Sequence, residues 1–189
     1  MPAGLLRPLA LAAALAGGIG IWCAPTPASA TAVVALDLDA LGREAELIVA
    51  GRVVSMESAW DRGRIRTRIT LATESVLKGR PADPSRVTFF VLGGEVQGIA
   101  QWVPGEAKFA VGERVLVFLT DVERRPVVLG MAQGKWRWHP EARGAELSPD
   151  TDARADLELL GPDGLPRAPS PPGPVSLDRL RNAAAGGSR

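Results

Sequence analysis

The sequence predicts an all-β protein, a small antiparallel barrel with a short leading helix and an irregular Pro-rich tail. Two observations carry this. Residues 64–71 alternate strictly, with Ile65, Thr67, Ile69 and Leu71 on one face and Arg64, Arg66, Arg68 and Thr70 on the other. That is the period-two pattern of a half-buried strand. Five other short apolar or alternating runs lie around it, each bounded by Gly, Pro or Asp turn signals. This spacing fits an antiparallel barrel or sandwich, because no long helical pattern intervenes to make crossover connections.

The chain opens on the pattern of a cleavable signal peptide, residues 1–30. Arg7 is the only charge in this stretch, Leu9 to Ile21 is an apolar run, and Ala28-Ser29-Ala30 is a small-x-small cleavage site behind Pro25 and Pro27. A membrane anchor needs about 17–25 apolar residues, and Gly17, Gly18 and Gly20 shorten this run. Cys23 follows the bulky Trp22, whereas a lipidated cysteine wants a small residue before it. Cleavage after Ala30 leaves 159 of the 189 residues, starting at Thr31. The expected product is periplasmic or extracellular, with no stable membrane anchor. It contains no cysteine, hence no disulfide, thiol nucleophile or thiolate metal site. Its expected organisation is a β-barrel domain over 31–139, with its core in 45–139, then a linker and short helix over 140–189.

Residues 36–46 predict a short helix, with Leu38, Leu41 and Ala45 on one stripe and Asp37 or Asp39 as its cap. Leu47 to Val54 reads as a buried strand and Asp61-Arg62-Gly63 as a hairpin turn leading into 64–71. Strand character runs on to Leu77. Further strands are expected at 87–92, 114–120, 126–132 and 135–139, with a loop-rich stretch from Gly93 to Gly112 and a bend at Gln133-Gly134. In the last strand Trp136 and Trp138 share one face and read as core. Residues 140–174 read as irregular linker, and Ser176 caps a helix over 177–184.

The run Ala45-Glu46-Leu47-Ile48-Val49-Ala50-Gly51-Arg52-Val53-Val54-Ser55, then Glu74-Ser75-Val76-Leu77-Lys78-Gly79, then Val111-Gly112-Glu113-Arg114-Val115-Leu116-Val117-Phe118 resembles exported bacterial proteins of the netrin-like type. Those are similar to tissue inhibitors of metalloproteinases. The resemblance covers roughly residues 36–138 and implies an OB-like barrel and a protein partner such as a peptidase. The inhibitors' zinc-chelating N-terminal cysteine has no counterpart here, since Thr31 would be the new N-terminus.

Composition narrows the chemistry. Lys and Arg total 22 against 21 Asp and Glu, so bulk charge points to neither nucleic acid nor an anionic membrane. The one histidine, His139, sits at a strand end with no nucleophile motif to serve. Asp150-Thr151-Asp152 lacks the Gly and Glu that would complete a calcium loop, so no metal or cofactor is expected. The Arg64, Arg66, Arg68 stripe reads as the solvated face of a half-buried strand. Glu106 and Glu113 lie beside turn signals and read as solvated turn residues.

The reading that results is a non-catalytic binding or inhibitory module. Its docking surface is expected at Gly93, Gly94, Glu95, Val96, Gln97 and Gly98, with Trp102 and the bend Gln133-Gly134-Lys135. Loops on a rigid barrel are where binding residues concentrate, and Trp102 would supply apolar area. Architecture is the competing role for these glycines, with Trp102 folded inward. The alternative function is a secreted hydrolase with a carboxylate site near Glu95, which would need a second acid within about 5–10 Å.

Overall fold

A computed structural model describes residues 31–142, 146–168 and 173–186; the expected signal segment, with Cys23, lies outside them. The chain is mostly β. In order come β1 (Thr31–Val34), α1 (Leu38–Glu44), β2 (Leu47–Asp61), β3 (Arg64–Lys78), β4 (Arg86–Leu92), β5 (Gly94–Val96), β6 (Ile99–Gln101), β7 (Arg114–Val122) and β8 (Arg125–Val128). A 3-10 turn (Met131–Gly134) leads to β9 (Lys135–His139), β10 (Glu146–Pro149), α2 (Thr151–Arg154), β11 (Leu157–Leu160), β12 (Pro166–Arg167), β13 (Val175–Ser176) and α3 (Leu177–Gly186).

The expected alternation in β3 is what the fold uses. Ile65, Thr67, Ile69 and Leu71 are buried, and Arg64 and Arg68 are exposed. Arg62 and Gly63, both at positive φ, make the two-residue turn between β2 and β3, the left-handed pair that matches strand twist in a tight hairpin. Asp37 caps α1 by accepting the Ala40 N–H at 2.7 Å.

Eight strands form one sheet in the order β13-β10-β9-β7-β2-β3-β4-β8, and β8 also pairs with β7. The sheet therefore curls back on itself. β8 meets β4 only at one parallel pair, Phe90 with Val127, so the barrel is not closed. Bulges in β2 between Ile48 and Ser55 bend that strand around the curl. β7 lies at the centre, with β2 along one edge and β8 and β9 along the two halves of the other. It is buried on both faces. Val115, Val117 and Leu119 face the inside of the curl with Phe89, Leu71 and Val87, while Leu116 and Phe118 join Trp136, Trp138 and the two helices outside it. This explains the unbroken apolar run from Val115 to Leu119.

Three expectations are corrected. Residues 126–132 do not form one strand: pairing stops at Val128, and the chain turns through Gly130 and Met131, both at positive φ, into the 3-10 turn. The stretch 93–112 contains the small β5–β6 hairpin. The described residues within 140–174 are not an irregular linker, because β10 extends the main sheet beside β9, and β11 pairs in parallel with β1. These strands are two to four residues long, too short to carry a periodic signal.

Candidate functional site

The expected surface divides into two parts. The first is the β5–β6 hairpin. Its two-residue turn is Gln97-Gly98, both at positive φ, and Glu95 pairs with Ala100 on its exposed side. Gly93 and Gly94 at its base serve close packing: a Cβ on Gly94 would lie 2.3 Å from Thr67 Oγ1 and 2.4 Å from Ser58 Oγ. The Gly93 N–H donates to Ile65 O, its carbonyl accepts from Thr67 Oγ1, and Gln101 Oε1 accepts the Ile65 N–H. Together these bonds fix the hairpin to the face of the β2–β3 arm that carries Ser58 and Thr67. Gly98 stands in open space. The architectural role of the glycines thus holds for Gly93 and Gly94.

Trp102, just beyond β6, is not folded inward; it is 62% exposed. Its support is rigid. Lys108 Nζ stands 5.4 Å above the ring, and the following Pro104-Gly105 turn is held by the Thr31 hydroxyl and the Ala132 N–H. A large aromatic presented on a fixed base loses little conformational freedom when a partner covers it.

The second part, Gln133-Gly134-Lys135, is corrected: it is buried rather than exposed at a bend. Gln133 clamps the N-terminal segment, accepting the Leu36 N–H at 2.8 Å and donating to Val34 O at 3.0 Å. Lys135, with a side chain only 3% exposed, places its ammonium 2.9 Å from Glu113 and 2.8 Å from Asp150 and donates to Lys108 O. Phe109 lies under that ammonium at 4.8 Å. Arg137 joins Asp150 to Asp152, and the Asp152 carboxylate, then Asp150, raise its pKa further. Arg154 donates to Gln133 O beside Trp136, and burial lowers its pKa to about 10. Glu113 and Asp150 are therefore partners of a buried cation rather than solvated residues.

Lys135, Glu113, Arg137, Asp150 and Asp152 line a cleft of about 270 Å³. The position a metal would take among Glu113 and Asp150 is filled by the Lys135 ammonium, and no group of metal-ligating side chains occurs among the described residues. Sequence reasoning singled out Lys135 but missed its partners, since Glu113 and Asp150 reach it only through the β7–β9–β10 pairing. It also missed Lys108, which no sequence pattern marks.

No protein-family model matches the chain, and no curated protein is similar enough to count as a relative. Function must be read from the surfaces themselves.

Glu95 is exposed and lies outside the cleft around Lys135. His139 is also exposed, and its Nε2 lies 3.5 Å from Ser148 Oγ across the β9–β10 pair.

Proposed function

We propose that this is an exported, non-catalytic binding or inhibitory module for a protein partner such as a peptidase, built on an OB-like barrel and docking through the β5–β6 hairpin and Trp102. The observation that carries the reading is the exposure of Trp102 beside the Pro104-Gly105 turn, which Thr31 and Ala132 tie to the rest of the fold. Exposed aromatics on rigid supports are the usual anchors of protein interfaces. The circuit β2-β3-β4-β8-β7, open between β4 and β8, supports a partly open five-stranded barrel. The netrin-like resemblance supports the same barrel and the same kind of partner. Among the described residues no helix is long and apolar enough to cross a membrane.

The test uses the chain as a bait in the exported fraction of its host, followed by titration of the purified partner against wild type and Trp102→Ala. Affinity should fall at least about tenfold with an unchanged melting temperature. Equal affinity for both proteins, or a loss of binding that tracks a loss of folding, overturns the assignment.

A further inference from the structure

Arg64 is solvated as expected, but the part of the arm's face that carries Arg66 and Arg68 is not simply solvated. It forms one wall of a groove of about 320 Å³ whose other lining includes Glu57, Asp61, Phe90 and Arg125. We infer that this groove, through Arg66, Arg68 and Arg125, holds two carboxylates of an extended acidic segment of a protein partner. The inference rests on the protein-binding reading above and adds to it the chemistry of the partner.

Three guanidinium groups meet two carboxylates here. Arg66 and Arg125 both reach the same oxygen, Asp61 Oδ2, Arg66 through Nε at 3.0 Å, and Arg68 reaches Glu57. Each guanidinium has five N–H donors, so most of these donors have no carboxylate to serve. The hydrogen bond from Arg125 holds the Asp61 carboxyl below its ordinary pKa, which keeps that carboxylate charged. Arg125 also lies over the Phe90 ring at 5.8 Å, which orders it before any ligand arrives.

The spacing selects the ligand. Arg66 and Arg68 are alternate residues of β3 and project from one face about 6.7 Å apart, two strand rises. Carboxylates on alternate residues of an extended peptide repeat at that distance. The site already holds carboxylates of its own, and the Arg68–Glu57 pair is more than half exposed on both sides, so an incoming carboxylate displaces it at little cost. The β5–β6 hairpin covers the other face of the arm, against Ser58 and Thr67. The two surfaces are therefore separable by mutation.

The probe is a capped five-residue peptide with glutamates at its second and fourth positions, titrated into the full chain at low salt. Its bis-glutamine version is the control. The acidic peptide should bind at least tenfold tighter than the control. Arg68→Gln, at an exposed position, and Arg125→Gln should each weaken it at least threefold, while Trp102→Ala leaves it unchanged. Equal binding of the two peptides, or indifference to both arginine variants in proteins of unchanged melting temperature, overturns the proposal. So does a sulfated or uronate disaccharide that binds tighter than the peptide with the same arginine dependence, which would make the groove a glycan site. Loss of the isolated partner on Trp102→Ala but not on Arg68→Gln would leave the binding-module reading standing and remove this one.

Discussion

Lys135 shows what a single residue does when burial and charge coincide. Its ammonium has left water but keeps two carboxylates, one carbonyl and an aromatic face. Lys135→Ala takes the ammonium from between Glu113 and Asp150, leaving Asp150 only its more exposed partner Arg137. Breaking a buried ion pair from one side costs about 3 kcal/mol, and a urea unfolding curve should show a loss of that size. Glu106 gives the opposite sign. It accepts the Leu92 and Ala107 N–H groups, and burial pushes its pKa above the ordinary 4.5. A raised folded-state pKa means that its stabilising contribution is complete below the unfolded value and is lost as pH rises through the folded one. Glu106→Gln should therefore gain stability relative to wild type as pH rises, measured by urea unfolding across about pH 4 to 7. Residue by residue, the burial of Trp136 and Trp138 was legible from their alternation in a strand, whereas the aperiodic loop around Trp102 left open whether that ring points out or folds inward. The charged cluster was not, because its members come together only through strand pairings far apart in sequence.

The β5–β6 hairpin is the element on which the functional reading depends. Its two glycines differ in what they tolerate. Gly94 is pressed against Ser58 and Thr67 at positive φ, and Gly98 stands free at the turn. Gly94→Ala should cost about 2 kcal/mol through overpacking and backbone strain. Gly98→Ala carries the left-handed backbone cost alone, about 1 kcal/mol. Hydrogen exchange at Glu95 to Gln101 should rise sharply in the first variant and little in the second. Elements with a full period were legible in the sequence: β3, β9 and α1 lie within a few residues of expectation. The hairpin and β10 to β13 were not, since two to four residues hold too little alternation to stand out from a turn.

For the whole molecule, the segment after His139 is part of the fold. Leu147, Val175, Leu177 and Leu180 are buried against Trp136, Trp138, Leu116 and Phe118. Burying one such side chain contributes roughly 1.5–3 kcal/mol, and a domain of this kind is stable by only about 5–15 kcal/mol in all. Deleting residues 140–189 should abolish cooperative unfolding and shift tryptophan emission to the red, read by fluorescence against urea. A truncated protein that keeps a sharp transition would mean that 31–139 folds alone, as the sequence suggests.

The central place of β7 also sets a timetable. The β2–β3 hairpin closes through a two-residue turn and belongs to the microsecond class of events. The ladder that covers its other edge pairs Leu47 with Leu119 and Arg52 with Arg114, and non-local pairing of this kind puts an all-β chain in the millisecond-to-second range. A chain emerging N-terminus first therefore spends that interval with the edge from Ile48 to Arg52 bare. Slow completion would suit the export proposed above, which requires the chain to cross a membrane before it folds. It also makes the newly emerged chain a target for strand-to-strand aggregation until β7 arrives, so refolding yield should fall as protein concentration rises.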